Sequence, residues 1–391
     1  MNNLNFLIER LCPNGVMYRP LEQCCSILDN RRKPVTKAAR EAGEYPYYGA
    51  NGIQDYVSDY IFDGTFVLVG EDGSVVTPAG TPVVTWATGK IWVNNHAHII
   101  EEKDGVLLRF LFHYLQTVNV SPLIHGNIPK LTGGDFRAIR IPLPPLPVQQ
   151  EIVRILDNFT ELTAELTAEL AARRKQYEYY RDELLRQGTI THYGKIIDML
   201  VQPITDGPHT TPTLVEKGIP FLSAEAVFDG RIHFNKKRGF ITEEFDSECC
   251  RKYKPQRDDV LMVKSGSTTG KVGYVDTDER FNVWSPLAAM RVNAKNSPRF
   301  LFHLLQSEHV QKQVRTKASH GSQPNLSMRA LEQFDVPIPS FDVQEEIAAV
   351  LDNLDALCND LASGLPAEIA ARQKQYEYYR DKLLTFKELD A

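Results

Sequence analysis

The chain has 391 residues, a hydrophobic content of 42% and a formal net charge of −6 at pH 7. That length accommodates two domains with cores of their own, and no apolar run approaches the roughly 18 residues that would cross a membrane. The opening residues lack the layout of a secretory signal, so a cytoplasmic protein with no membrane partner is expected.

The six cysteines, Cys12, Cys24, Cys25, Cys249, Cys250 and Cys358, form no C-x-x-C pair. Reduced thiols without metal are the expectation. The acidic sum hides basic clusters at Arg31-Arg32-Lys33, at Lys236-Lys237-Arg238 and between Arg251 and Arg257. Charge distribution decides more than the total, so nucleic acid stays open as a partner.

In chain order, Tyr45-Pro-Tyr-Tyr-Gly-Ala-Asn-Gly52 comes first, setting Tyr48 and Asn51 beside glycines. A polar recognition loop and a plain turn over core tyrosines fit it equally. Tyr60–Gly70 and Thr81–Val93 are rich in Val, Ile, Phe and Trp between turn residues and predict strands. The turn Gly70-Glu71-Asp72-Gly73-Ser74 offers Glu71 and Ser74 as acceptors for base amino groups, or is a solvated hairpin. Thr88 and Lys90, then Asn95 and His96, are donors suited to adenine edges or phosphate; edge-strand polar residues are the plainer alternative. Lys130 closes a further loop, His125-Gly-Asn-Ile-Pro-Lys130.

Prolines 142, 144, 145 and 147 then force a helix to start. Its apolar residues Val148, Ile152, Ile155, Phe159, Leu162 and Leu166 step 4-3-4-3-4, the seam of a coiled coil. An uninterrupted helix to about Leu185 would be a rod on the order of 60 Å.

The second half repeats the plan. Strands are predicted at Ile219–Leu222, Asp259–Lys264 and Gly273–Val275, and a short helix at Pro298–Gln306. Its polar loops carry His209 and Thr210, then Lys264, Ser265, Ser267, Thr268 and Lys271, then His320, Gln323 and Asn325. They suit a loop that clamps a nucleic-acid backbone; retention of loops after duplication explains their glycines and prolines equally well. A second seam follows at Val343, Ile347, Val350, Leu354, Leu357 and Leu361, with a breaker at Gly364-Leu365-Pro366.

The repetition is literal in places. Arg109-Phe-Leu-Phe-His113 recurs as Arg299-Phe-Leu-Phe-His303, and Arg173-Arg-Lys-Gln-Tyr177-Glu-Tyr-Tyr180 as Arg372-Gln-Lys-Gln-Tyr376-Glu-Tyr-Tyr379. A period near half the chain means tandem domains rather than a solenoid. Tyr177, Tyr180, Tyr376 and Tyr379 are expected to pack helices or dock a partner subunit. Enzyme signatures are missing: no G-x-G-x-x-G follows a strand, no Asn/Asp-Pro-Pro-Tyr/Phe tetrapeptide occurs, and Gly266–Lys271 is one residue short of a P-loop. Catalytic and metal-ligating residues are therefore not expected.

The V-Q-x-E-I helix starts, the Thr-Ala-Glu-Leu tandem at Thr163–Leu170 and the paired R-K-Q-Y-E-Y-Y-R-D ends resemble the specificity subunit of Type I restriction-modification systems. The likeness is specific in the helices, loose in the globules, and closest to the branch with T-A-E-L repeats. It implies an α+β chain with two target recognition domains (residues 1–144 and 187–338), a central long helix (145–186) and a C-terminal helix (339–391) paired antiparallel with it. It further implies a non-catalytic reader of a bipartite double-stranded DNA target. Two modification (M) subunits and the restriction (R) subunits would dock on it. S-adenosylmethionine, ATP and Mg would belong to those partners, and none to this chain. A self-contained methyltransferase or nuclease, and a structural coiled-coil adaptor, are the alternatives.

Overall fold

The computed structural model describes residues 2–186, 192–319, 321, 323–360 and 363–389. Two bodies emerge, Met1–Glu165 with Ile369–Ala391, and Leu166–Glu368.

The first body is built on a six-stranded sheet. Its strands are β2 (Ser26–Ile27), β3 (Ala42–Gly49), β4 (Gly52–Val57), β5 (Phe62–Gly70), β6 (Val84–Val93) and β7 (Ala97–Glu101), in the order β2-β7-β5-β6-β3-β4. The apolar β5 is central and pairs antiparallel with β6 and β7, while β3 runs parallel to β6. A helix α1 (Asn2–Leu11) precedes the sheet, and β1 (Met17–Pro20) pairs with β8 (Arg140–Leu143). Beneath the sheet, helix α2 (Leu108–Leu115) buries Phe110, Leu111 and Leu115 with Val67, Val69 and Ile100. The Tyr45–Gly52 stretch is the β3–β4 hairpin, and Gly52 takes φ +90° just after its tip, where a side chain would be strained.

In the second body, β9 (Tyr193–Lys195) pairs with a closing strand Asp335–Pro337. Its main sheet holds β10 (Thr205–Asp206), β12 (Val227–Phe228), β13 (Gly230–Ile232), β15 (Val260–Val263), β16 (Val272–Tyr274) and β18 (Leu287–Met290), in the order β10-β18-β15-β16-β13-β12. A smaller sheet joins β14 (Gly239–Ile241), β11 (Ile219–Leu222) and β17 (Asn282–Val283). Again the central strand is antiparallel to both neighbours, and one parallel pair, β13 with β16, sits in the matching place. The duplication read from sequence is thus a duplication of topology. The Gly266–Lys271 loop joins antiparallel β15 and β16, not a strand to a helix as a phosphate-binding loop would.

Helix α3 (Leu146–Arg186) is one element of 41 residues, contributing up to Glu165 to the first body and from Leu166 to the second. The C-terminal rod is split as its breaker predicts, into α5 (Phe341–Asn359) and α6 (Leu365–Leu383), after α4 (Pro298–Gln306). The predicted seam needs correction. Val148 and Ile152 are fully buried, but in the first body's own core with Leu156 and α2, and Ile155 packs against it. On α5, Val350 and Leu357 are exposed (49% and 37%), and the buried stripe is Ile347, Leu351 and Cys358 with Leu354 half-buried. The helix is rotated by about one residue, since its first turns lie on a globule and need a broad apolar face rather than a narrow seam. Phe159, Leu162, Leu166 and Val343 are half-buried, and Leu361 lies outside the described residues.

Each helix start is fastened by the glutamine of its V-Q pair. Gln149 accepts from Leu107 N–H (2.9 Å) and donates to the Pro144 carbonyl (2.8 Å); Gln344 accepts from Ser297 N–H (2.9 Å) and donates to Pro339 (2.8 Å). A second device is also doubled. In the first body Asp157 accepts from Arg109 and His113 (both 2.8 Å), and the other ring nitrogen of His113 meets the Tyr376 hydroxyl at 3.0 Å. In the second, Asp352 accepts from Arg299 (2.8 Å) and His303 (2.6 Å), and His303 meets Tyr177 at 2.9 Å. Tyr177 and Tyr376 are therefore spent inside the chain.

Asp352→Ala is expected to destabilise the second body by roughly 2–3 kcal/mol, because the fully buried His303 loses its acceptor. A fall in Tm with retained secondary structure checks it. Burial holds the His303 ring below its ordinary range, and the bonds from Asp352 only partly offset that. The unfolded chain then takes up a proton first on acidification, and stability drops as pH falls below about 6.5. Burial would raise the Asp352 carboxyl, but His303 and Arg299 outweigh it and hold it low. A second loss should follow as pH falls below about 4, the unfolded carboxyl's value, toward the lower folded one.

Candidate nucleic-acid interface

The polar loops gather where β5 ends in one body and β15 in the other. In the first, Glu71 N–H donates to the His96 carbonyl (2.8 Å) and Leu131 N–H to the Glu71 carbonyl (2.8 Å). The turn beyond folds back through Gly73 N–H to the Pro129 carbonyl (2.9 Å), and Gly73 has φ +87°. The Glu71 carboxylate accepts from Arg32 (2.6 Å) and faces the Lys130 ammonium at 3.3 Å. Arg32 also donates to the Ala97 carbonyl at 2.7 Å. Asp72 pairs with His96, which is half-exposed. Below them Asp29 meets His98 at 2.7 Å and accepts from Ile99 N–H at 3.0 Å. Burial would raise the Asp29 carboxyl; His98, Ile99 and Arg32 outweigh it and hold it below the usual range.

Asp29, Glu71 and His98 converge closely enough to be weighed as a cation site. Arg32 and Lys130 already supply the positive charge there, so the cluster suits a dipolar ligand edge better than a metal.

Of the sequence-predicted residues, the structure brings together Glu71, Ser74, Asn95, His96 and Lys130, with Asn51 at the neighbouring hairpin tip. The Ala50 carbonyl lies beside Gly70, and the Asn95 carbonyl is 3.5 Å from Arg32. Thr88 and Lys90 are exposed but pair with Thr65 and Asp63, at the far end of β5, about 20 Å along the strand. Tyr48 is corrected: its ring is buried with Phe62, Phe66 and Leu68.

In the second body Lys264 N–H donates to Pro286 (2.8 Å), Leu326 N–H to Lys264 (2.7 Å), and Gly266 N–H to Pro324 (2.9 Å). The buried Asp206 meets Lys252 at 2.5 Å, His209 at 3.2 Å and Lys264 at 3.3 Å. Burial would raise its carboxyl, but Lys252 and Lys264 hold it low. Beside it opens a cavity of about 250 Å³ lined by Asp206, Thr210, Phe245, Lys252 and Tyr253. Ser267, Gln323 and Asn325 are exposed near this end, Ser265 and Thr268 are half-buried, and Lys264 is buried apart from its ion pair. Lys271 lies on a separate groove with Gln306 and Gln311, and His320 is outside the described residues. Asp29, Arg32, Asp206 and Lys252 are not among the candidate residues read from sequence, although Asp206 opens a polar turn and Lys252 lies in the Arg251–Arg257 basic cluster. Arg32 sits in a basic cluster visible there, but only the sheet places it opposite Glu71.

Two tracts, residues 13–173 and 210–371, match the family described as the Type I restriction modification DNA specificity domain. The chain belongs to that family. A putative type I restriction enzyme specificity subunit of Haemophilus influenzae is 37% identical over 401 residues, spanning 98% of this chain and 99% of that protein. The EcoR124I/EcoR124II specificity subunit of Escherichia coli is 32% identical over 300 residues, 73% of this chain and 72% of its own length. The fold matches the S subunit of the Type I restriction-modification system from M. genitalium at a TM-score of 0.57, with 15% identity, over 94% of this chain and 96% of that one. The two specificity-domain tracts end within α3 and α6, so each takes in most of one globule and part of the helix that follows. Among the described residues, no helix is long and apolar enough to cross a membrane.

Proposed function

We propose that this chain is the recognition subunit of a Type I restriction-modification complex, and that each body reads one half of a split double-stranded DNA target. The observation that carries the reading is the polar cluster at the same strand end in two bodies of one topology, with different charges in each. Base edges are distinguished by such mixtures of carboxylate, ammonium, amide and hydroxyl groups.

Catalysis is assigned to partners. The M subunits would bring S-adenosylmethionine, and the R subunits ATP and Mg. Tyr179 (63% exposed), Tyr180 (42%) and Tyr378 (61%) stand on the outer faces of the helix ends and suit docking of M subunits. Tyr379 stacks on Phe159 at 5.4 Å and serves the first body.

Genome-wide methylation mapping in a host carrying this chain with its M and R subunits tests the proposal. A methylated two-part sequence with a fixed gap is expected, together with duplex binding by the complex that weakens steeply as salt rises. Methylation scattered without a bipartite motif would reject it.

A further inference from the structure

The two polar clusters correspond residue by residue, although most of their polar side chains differ. Glu71 and Lys264 each donate N–H to the segment leading into the next strand, and each accepts from a leucine, Leu131 or Leu326. Gly73 and Gly266 each donate to a proline carbonyl, Pro129 or Pro324. Between these bonds, Asp72 bridges to Lys130 and Ser265 bridges to Asn325. The edge strands agree as well. Leu68 pairs with Ile99 and Leu261 with Ala289, which makes Ile99 equivalent to Ala289. Leu28 bonds to Ile99 and Thr205 pairs with Ala289, so Asp29 is equivalent to Asp206. Three residues on, Arg32 and His209 each contact that aspartate.

What the two bodies share is a frame: the aspartate, the glycine with positive φ (+87° at Gly73, +101° at Gly266), the proline and the leucine. What they change is everything polar around it. Glu71 becomes Lys264, Asp72 becomes Ser265, Lys130 becomes Asn325 and Arg32 becomes His209. At the first of these positions the charge is inverted while the ionic contact survives, because Lys264 turns to Asp206 where Glu71 turns to Arg32. A structural network under selection for stability alone has no reason to invert its charge on a constant frame. A reading head that must recognise two different base sequences does.

We propose that the four matched positions Arg32/His209, Glu71/Lys264, Asp72/Ser265 and Lys130/Asn325 determine which bases each body accepts. The assignment rests on the DNA-reading function above. In the first body the carboxylates would accept from the amino groups of cytosine or adenine, and Lys130 would donate to guanine O6 and N7; in the second, Asn325 suits the adenine edge.

The test exchanges the set. R32H, E71K, D72S and K130N are introduced together in the full chain, co-expressed with its M and R subunits, and methylated sites are mapped. A lysine at position 71 is expected to reach the Asp29 carboxylate, which there also meets His98 at 2.7 Å where the second body has Ala288. A changed first half-site, with the second half-site and the gap unaltered, is the expected result. Should the fourfold variant fail to assemble, D72S with K130N alone decides. It alters two solvent-reaching side chains and should lower methylation of the original site on the order of tenfold, at wild-type levels of assembled complex. Wild-type methylation by the double variant, or change in both half-sites, overturns the assignment. A wild-type complex that methylates no bipartite site overturns the function beneath it, and the two failures are therefore distinguishable.

Discussion

Replacing residues 1–140 with the matching stretch of a relative is expected to rewrite one half of the methylated target completely and leave the other half and the gap unchanged. The exchanged part contains the whole six-stranded sheet and its polar cluster, but not the surfaces on which it is seated. Those remain on α3 and α6: Val148, Ile152 and Leu156, the buried pair Leu383 and Leu384, and the polar partners Gln149, Asp157 and Tyr376. A donor must therefore present an arginine and a histidine where Arg109 and His113 stand. With both residues present the graft should fold; without them the Asp157 carboxylate loses its donors, at a cost of about 1–3 kcal/mol. Methylation mapping of the chimaera reads the outcome, and simultaneous change of both halves would contradict independent readers.

Inserting one further Thr-Ala-Glu-Leu after Leu170 should lengthen the gap between the half-sites by one to two base pairs without changing either half. Four residues add roughly 6 Å to a helix, against about 3.4 Å per base pair. The site tolerates the insertion because α3 is anchored at its ends. Leu156 is fully buried and Tyr177 is 6% exposed, whereas Leu162, Leu166 and Leu170 between them are only half-buried. Four residues also turn the helix by about 400°, so the apolar side returns to within about 40° of its face. The gap in the methylated motif is the measurement, and an unchanged gap would remove α3 from the task of setting it.

Much of this architecture could be read from the chain alone, for physical reasons. Runs such as Phe66–Val69 and Ile219–Leu222 declare strands because a strand segment buried on both faces is predominantly apolar. Prolines 144, 145 and 147 fix where α3 begins, and Gly364 with Pro366 fixes the split between α5 and α6. The facing of those helices could not be read. Val350 and Leu357 fit a seam by spacing, but which stripe is buried depends on the globule beneath, and Leu351 with Cys358 takes that place. Tyr48 illustrates another limit in a strand, since Tyr47, Tyr48 and Gly49 are all buried and the end of β3 shows no alternation to read. The reading clusters were partly visible as loops. The loops bearing Lys130 and Asn325 could be matched by the His-Gly, Pro and Leu they share at a constant offset. The match of Glu71 with Lys264 and of Asp29 with Asp206 needs the backbone hydrogen bonds and strand register.

The reciprocal tyrosines also bear on how the polypeptide is completed. The second body is one unbroken stretch, Leu166–Glu368, and can close as soon as that stretch has left the ribosome. The first cannot. His113 waits for Tyr376, 263 residues later, and Tyr18 for the Phe386 carbonyl, 368 residues later. Closure over such separations is slow. During synthesis, then, the part made first is the part finished last, and any chain cut short before Tyr376 would carry an unfinished reader at its beginning.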